Sequence, residues 1–403
     1  MNKEKSFDIK INIPDYALCI MERLWAAGEE AYIVGGSLRD ALIGITPHDY
    51  DMTTSALPSK TAELFSDLRV IETGLKHGTI TVISQGHPIE ITTFRVDGSY
   101  LDSRHPDSVS FTRSVGEDLA RRDFTVNAMA YDPRGALIDL FGGREDILKK
   151  RIKAVGEPHK RFEEDALRIM RAFRFSAQLG FEIEQGTLKA AFDCKERLEN
   201  ISRERIGSEF LRLICSKYPE KPLMQMIELG IMPFVIGELE LDKRAVQLLN
   251  QMPDEDVARL GLLLVGKDAA VSRAALNLLK CSNKQKSGAV DVARGAIRKI
   301  ESQEDAARLR ADVGERDAFA VRASVLLGYS NESAIDIVDG NTAPSTVSEL
   351  AIGGKELGEM GIKGREIGEI LSYLLERVIK DPSLNTKDTL ILLAKEKHNE
   401  KGE

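Results

Sequence analysis

Residues 32–54, YIVGGSLRDALIGITPHDYDMTT, constrain the fold of this chain more than any other stretch. Ala31 to Val34 is an apolar run that predicts a buried strand. Gly35-Gly36 predicts a tight turn, Ser37 to Ile43 a short helix, and His48 to Thr53 a second strand. Side chains alternate along a strand, so Asp49 and Asp51 are expected on one face with Tyr50 on the other. Two neighbouring carboxylates repel unless a cation sits between them, and hard oxygen ligands with room for phosphates suit Mg²⁺. Gly35 and Gly36 carry no side chain, so backbone N–H groups can approach a phosphate closely, and the positive end of the following helix aims at the same place. Arg39 adds a possible charged contact. Taken singly, Asp-x-Asp also reads as a solvated strand end and Gly-Gly as a plain turn.

Together, GGSLRD (35–40) followed by DYD (49–51) resembles the signature of the DNA polymerase β-like nucleotidyltransferases, specifically the class II tRNA nucleotidyltransferases or CCA-adding enzymes. The resemblance implies an α/β head with a small mixed sheet, followed by an all-α neck, body and tail in a crescent-like arrangement. It implies template-independent addition of CCA to the 3′ end of tRNA from CTP and ATP, with two Mg²⁺ ions on Asp49 and Asp51 and nucleotide bound near Gly36 and Arg39.

Composition is compatible with this. The chain has 403 residues, 30% charged and 42% hydrophobic, enough for two to four domains with real cores. Its four cysteines lie far apart without a CxxC pair, which suits a reducing compartment and excludes a cysteine zinc site. No apolar run approaches a membrane span, and the N-terminal residues lack the apolar core of a signal peptide, so a cytoplasmic protein is expected. A net charge of −8 argues against a general nucleic-acid coat and requires any RNA contact to be local.

Residues 14 to 28 read as a packing helix, with Leu18, Met21, Leu24 and Trp25 at helical spacing. Residues 58–67 read as another helix, and 78–84 and 88–95 as two strands joined by Gln85-Gly86-His87. Glu90 is either a third carboxylate near the metal or an outward-facing strand acid. Residues 97–114 are polar and aperiodic and predict a flexible loop. Its Tyr100, Asp102, Arg104 and Pro106 are similar to residues of a mobile loop beside the active site in the resembled family. Arg121-Arg122-Asp123-Phe124 with Asn127 matches the family's RRDFTxNA motif. That match implies Arg122 on nucleotide phosphates or sugar, and Asp123 and Asn127 on ribose; alone, the arginine pair reads as a solvated helix face.

From Gly142 the composition turns to basic helix, with Lys149, Lys150, Arg151, Lys153, Lys160 and Arg161 as a track for an RNA backbone or simply a solvated face. Phe162 to Leu179 reads as one helix on which Asp165, Arg168 and Arg171 form a stripe with Arg174 trailing. Asp165 and Arg168 also fit an ordinary i,i+3 salt bridge, whereas in the resembled family this EDxxRxxR helix reads the incoming base. The chemistry is suitable. An ionised Asp only accepts hydrogen bonds and an Arg only donates them. Cytosine and adenine present an amino donor beside a ring-nitrogen acceptor; guanine and uracil present the reverse and would leave buried groups unpaired.

Beyond residue 200 the chain reads as wholly helical. ERIGSE (204–209) resembles the family's ERxxxE motif, expected to be mainly structural, and Lys355, Lys363 and Arg365 lie beside glycines at helix starts where RNA phosphates could sit. The expected divisions are head 1–145, neck 146–218, body 219–310 and tail 311–403, with tRNA, CTP and ATP as partners and neither membrane nor DNA. A P-loop is excluded, because Gly353-Gly354-Lys355 lacks the upstream glycine. The alternatives are an A-adding enzyme of a two-enzyme system, a poly(A) polymerase, and a non-catalytic RNA-binding module that would leave the paired acids idle.

Overall fold

The computed structural model describes residues 11–47, 49–72, 74–75, 78–97 and 109–399. The chain forms two compact units, one running to Leu213 and taking in Gln225–Val235, the other made of Ile214–Met224 and the chain from Ile236 onward.

The first unit begins with α1 (Asp15–Ala26), β1 (Ala31–Val34), α2 (Gly35–Leu42), β2 (Asp51–Thr54) and α3 (Pro58–Leu64). Then come β3 (Arg69–Ile71), β4 (Thr79–Ser84), β5 (His87–Thr93), β6 (Arg95–Asp97), β7 (Val109–Phe111) and α4 (Val115–Ala120). A single 3₁₀ turn at Thr125–Asn127 leads into β8 (Ala130–Asp132) and β9 (Ala136–Ile138). Seven of these strands form one mixed sheet in the order β3-β4-β5-β2-β1-β8-β9. β1 and β2 pair antiparallel, with Val34 opposite Asp51, whereas β2 and β5 pair parallel, with Asp51 beside Glu90. That parallel register brings together two acids 39 positions apart. Gln85 and Gly86 both take positive φ, the twist that a two-residue hairpin between β4 and β5 requires. Alternation along β4 buries Ile80 and Val82, and apolar side chains of β1, α4 and β8 (Val34, Leu119, Ala130) close the other part of the core.

Several local expectations are corrected. β2 starts at Asp51 rather than residue 48, so Asp49 lies in a bend before the strand and its shared strand face with Asp51 is not observed. His48 lies outside the described residues. The helix after β1 starts at Gly35, two residues early, so both glycines belong to its first turn. Of the stretch expected to be a loop, residues 98–108 with Tyr100, Asp102, Arg104 and Pro106 lie outside the described residues. Its end is ordered structure: β7 pairs antiparallel with β6, and Ser114 caps α4 by accepting the Glu117 N–H.

The basic helix expected from Gly142 is broken into α5 (Gly143–Leu148), β10 (Arg151–Ile152) and α6 (Pro158–Glu164). Pro158 fixes the first turn of α6, and the Glu157 carboxylate accepts the His159 and Lys160 N–H groups. β10 pairs parallel with β11 (Glu182–Ile183), so the stretch expected to be purely helical carries a short strand pair. α7 (Leu167–Leu179) and α8 (Gln185–Asp193) flank β11, and α9 (Arg203–Ile214) follows. Among the described residues no strand follows Ile183, as expected.

The second unit is helical. Helices at Asn283–Ala296 and Gln303–Val313 both start with a capping box, Ser282 with Gln285 and Ser302 with Asp305. Leu309, Val313, Ala320 and Val321 belong to one buried cluster, and Leu357, Ile370, Leu374 and Leu390 to another further along the chain. Gly353 and Gly364 immediately precede the helices Gly354–Glu359 and Arg365–Lys380, where glycine helix starts were expected. The Gly353 N–H is already taken by Glu356 at 2.9 Å.

Candidate active site

A cleft of about 640 Å³ opens in the first unit between the sheet and helices α7 and α9. Of the residues expected at a site, Gly36, Arg39, Asp51, Arg122, Asp123, Asn127, Asp165, Arg168, Arg171 and Arg174 all line it. Asp49 does not line it, but its charge acts on Asp51.

At the sheet end, Asp51 stands at the head of β2, half-buried, with Glu90 next to it in register. Burial first, then repulsion from Asp49 and Glu90, pushes the Asp51 carboxyl up to about 6, although Arg122 pulls the other way. Gly35 has φ +69°, a backbone that a side chain would strain, and its α-carbon faces Asp51 and the Arg122 guanidinium. Asp51 is half-buried, whereas Asp49 and Glu90 are exposed, and a divalent cation beside these carboxylates would relieve the repulsion that raises Asp51. Among the described residues no three or more His, Cys, Asp or Glu side chains converge into a complete metal cage. A divalent cation held here would keep waters or substrate oxygens among its ligands.

Between the two ends, Asp118 is fully buried and holds the motif arginines. It accepts from Arg121 at 2.7 Å and from Arg122 at 3.1 Å, and from the Thr53 hydroxyl of β2 at 3.3 Å. Burial alone would raise its pKa, but Arg122 and Arg121 pull it below the usual carboxylate range. The Arg122 Nε is buried and makes no hydrogen bond among the described residues.

At the helical end the expected stripe is not observed. Asp165 interrupts the helix in extended conformation, so α6 ends before it and α7 starts after it. Its carboxylate accepts the Leu167 N–H at 3.0 Å, the local bond by which Asp competes with a continuing helix. Arg168 does not pair with Asp165; it donates to Glu164 at 2.5 Å and to the carbonyls of Arg161 and Arg121 at 3.0 and 3.1 Å. The partner of Asp165 is Arg205 on α9, at 2.7 Å. Arg171 pairs with Asp123 at 2.5 Å, and Arg174 with Glu209. Burial would raise the Asp123 carboxyl, yet Arg171 and Arg168 outweigh it and hold it at about 2. Asn127 bridges, accepting from Arg39 at 2.9 Å and donating to Asp123 at 3.4 Å.

Arg205 and Phe175 line the cleft without having been singled out from the sequence. For Arg205 a signal existed. Arg205 and Glu209 lie four apart on one helix face within ERIGSE, and both meet residues of the Asp165–Arg174 stretch.

Residues 31–153 match the poly A polymerase head domain family, and residues 180–242 a family described as a probable RNA and SrmB-binding site of polymerase A. A CCA-adding enzyme of Streptococcus gordonii is 43% identical over 64% of this chain and 65% of its own length, so that match spans just under two thirds of the relative. A CCA-adding enzyme of Enterococcus faecalis is 36% identical over 95% of this chain and 96% of its own. The crystal structure of the Bacillus stearothermophilus CCA-adding enzyme in complex with CTP superposes with a TM-score of 0.82 at 30% identity, over 97% of this chain and all of that one. Likeness that runs nearly end to end, and that includes both the acid-bearing strand and the arginine helices around one cleft, shows that the chain belongs to the CCA-adding enzyme family of nucleotidyltransferases.

Proposed function

We propose that this protein adds C, C and A to the 3′ end of tRNA from CTP and ATP, releasing pyrophosphate at each step. One observation carries the reading: carboxylates suited to a cation and an acceptor–donor set suited to a base edge line the same cleft. The tRNA 3′-hydroxyl attacks the α-phosphate in line with the departing pyrophosphate, and no covalent intermediate with the protein is needed. Asp49 and Asp51 would hold Mg²⁺, with Glu90 as a further carboxylate. When bound, the metal lowers the pKa of the attacking hydroxyl and neutralises charge on the leaving group. Gly36 in the first turn of α2, Arg39 and Arg122 face the triphosphate; Asp123 and Asn127 hold the ribose.

Asp165 is the acceptor and Arg168 the donor for the base edge, with Arg171 and Arg174 beside them. Among the described residues Asp165 accepts one backbone and two Arg205 bonds, which leaves about one of a carboxylate's roughly four acceptor sites for a base amino group. Cytosine and adenine can donate there, and uracil and guanine cannot. The division into head 1–145, neck 146–218, body 219–310 and tail 311–403 is part of the same reading, the last two holding RNA in the cytoplasm. No helix among the described residues is long and apolar enough to cross a membrane.

Incubation with tRNA ending at the discriminator base tests the proposal. CTP alone should give two added C residues, and CTP with ATP the full CCA. Asp165→Ala should narrow the preference for CTP over UTP. Extension of tRNA-CC by A without any C addition to the shorter tRNA would make the protein an A-adding enzyme instead.

A further inference from the structure

Phe175 is only 6% exposed, yet it borders the cleft and meets three cations. The guanidinium carbons of Arg174, Arg171 and Arg39 lie over its ring at 3.9, 5.2 and 5.3 Å from the centroid. All three fall within the range where the negative face of an aromatic ring attracts a cation. Phe124, next to Asp123 in the RRDF motif, packs edge-on against the same ring, with centroids 5.8 Å apart and planes at 81°. Ring orientation is thereby set by a residue outside the arginine group.

The three arginines come from different places. Arg39 belongs to α2, beside the glycines, whereas Arg171 and Arg174 project from α7. Each has its own polar anchor, Arg39 on Asn127, Arg171 on Asp123 and Arg174 on Glu209. Asn127 donates on to Asp123 and Glu209 also lies 3.9 Å from Arg171, so the anchors link the cations only pairwise along a chain, while like charges in one cleft repel. Among the described residues the Phe175 ring meets all three cations at once. An aliphatic side chain of similar size would fill the space without offering a negative face.

We propose that Phe175 is a positioning residue for nucleotide selection, gathering Arg39, Arg171 and Arg174 into one fixed array so that the phosphate-facing and base-reading ends of the cleft keep their register. This rests on the nucleotide-adding reading of the site. The ring acts through the arginines and touches no reacting atom.

The test compares Phe175→Leu, Phe175→Tyr and replacement of Phe175 by pentafluorophenylalanine, which keeps the shape but removes the negative face. Each variant is assayed for the ratio of kcat/KM between CTP and UTP on tRNA, and between ATP and GTP on tRNA-CC, alongside its melting temperature. Phe175→Leu and the fluorinated variant should lose about tenfold in both ratios, and Phe175→Tyr should keep them. The fluorinated variant keeps the test sharp even if the Leu variant folds poorly, because its packing is preserved. Ratios in the fluorinated variant within about twofold of wild type would overturn the inference, as would equal losses in the Tyr and fluorinated variants. A wild-type protein with no preference for CTP and ATP would instead overturn the reading of the site itself, and this inference with it.

Discussion

At the β2–β5 end of the cleft Asp51 faces Asp49 and Glu90 and is pushed up to about 6, whereas at the α7 end Asp123 faces Arg171 and Arg168 and is held at about 2. Both are carboxylates in partial or full burial, so desolvation alone does not separate them. The difference is the sign of the neighbouring charge. At the first end the acidic neighbours outweigh the single Arg122 charge. The second end carries its cations in the chain and is organised by its own ion pairs. Acids kept without partners serve chemistry at a cost in stability, and acids paired with arginine serve geometry.

The largest expected effect removes the first end. Asp51→Asn keeps the volume and discards the charge, so CMP incorporation should fall on the order of 10³-fold. The melting temperature should stay level or rise, because a repelled charge is gone. Substantial incorporation by this variant would end the assignment of Asp51 to metal binding.

The matching change at the other end should do the opposite. Asp123→Asn removes the nearer carboxylate of Arg171, leaving Glu209 at 3.9 Å, and should lower unfolding free energy by about 2 kcal/mol, less than for a fully broken buried pair because Arg171 keeps that partner and its side chain is 34% exposed. Urea melts of the two variants read the contrast directly. If Asp51→Asn proved the more destabilising of the two, the comparison drawn here would be reversed.

A smaller effect comes from acid. The folded pKa of Asp123 lies below its ordinary value of 3.8, so its stabilisation is present above that value and is lost as pH falls towards about 2. Wild type should lose up to roughly 2 kcal/mol across this window, and Asp123→Asn should show no such loss. Parallel acid titrations followed by near-ultraviolet circular dichroism check it.

The smallest concerns RNA contact outside the cleft. The basic run at 149–161 is partly neutralised, since Lys149 pairs with Glu145, Arg151 with Asp146 and Arg161 with Glu164. Lys160 is exposed and among the described residues has no such ion pair. Lys160→Ala should reduce the salt slope of tRNA binding by about 1, and Lys149→Ala by less. Equal slopes for both variants would mean that local pairing does not decide which lysines meet RNA.

The sequence by itself determined the elements whose signals are local. An apolar run, two glycines and a short amphipathic turn specify β1 and α2, and the residue types Asp, Arg and Asn carry their chemistry wherever they are placed. It also supplied the cleft acids Asp51, Glu90, Asp123 and Asp165 and most of the cleft arginines, but not Arg205. It missed the break at Asp165, because the apolar spacing of Phe162, Ile169 and Phe173 runs through it unchanged while the competing bond from the Asp165 carboxylate to the Leu167 N–H leaves no periodic trace. Only the tertiary structure decided the partners. Asp51 meets Glu90 through a parallel register, Asp165 meets Arg205 across 40 positions, and Asp123 meets Arg171 across 48. Many acid–base pairings satisfy the same composition equally well. The fold realises one of them, with α7 reaching Arg121 and Asp123 and α9 reaching Asp165, because a charge buried without its partner costs several kcal/mol and alternative pairings are thereby excluded.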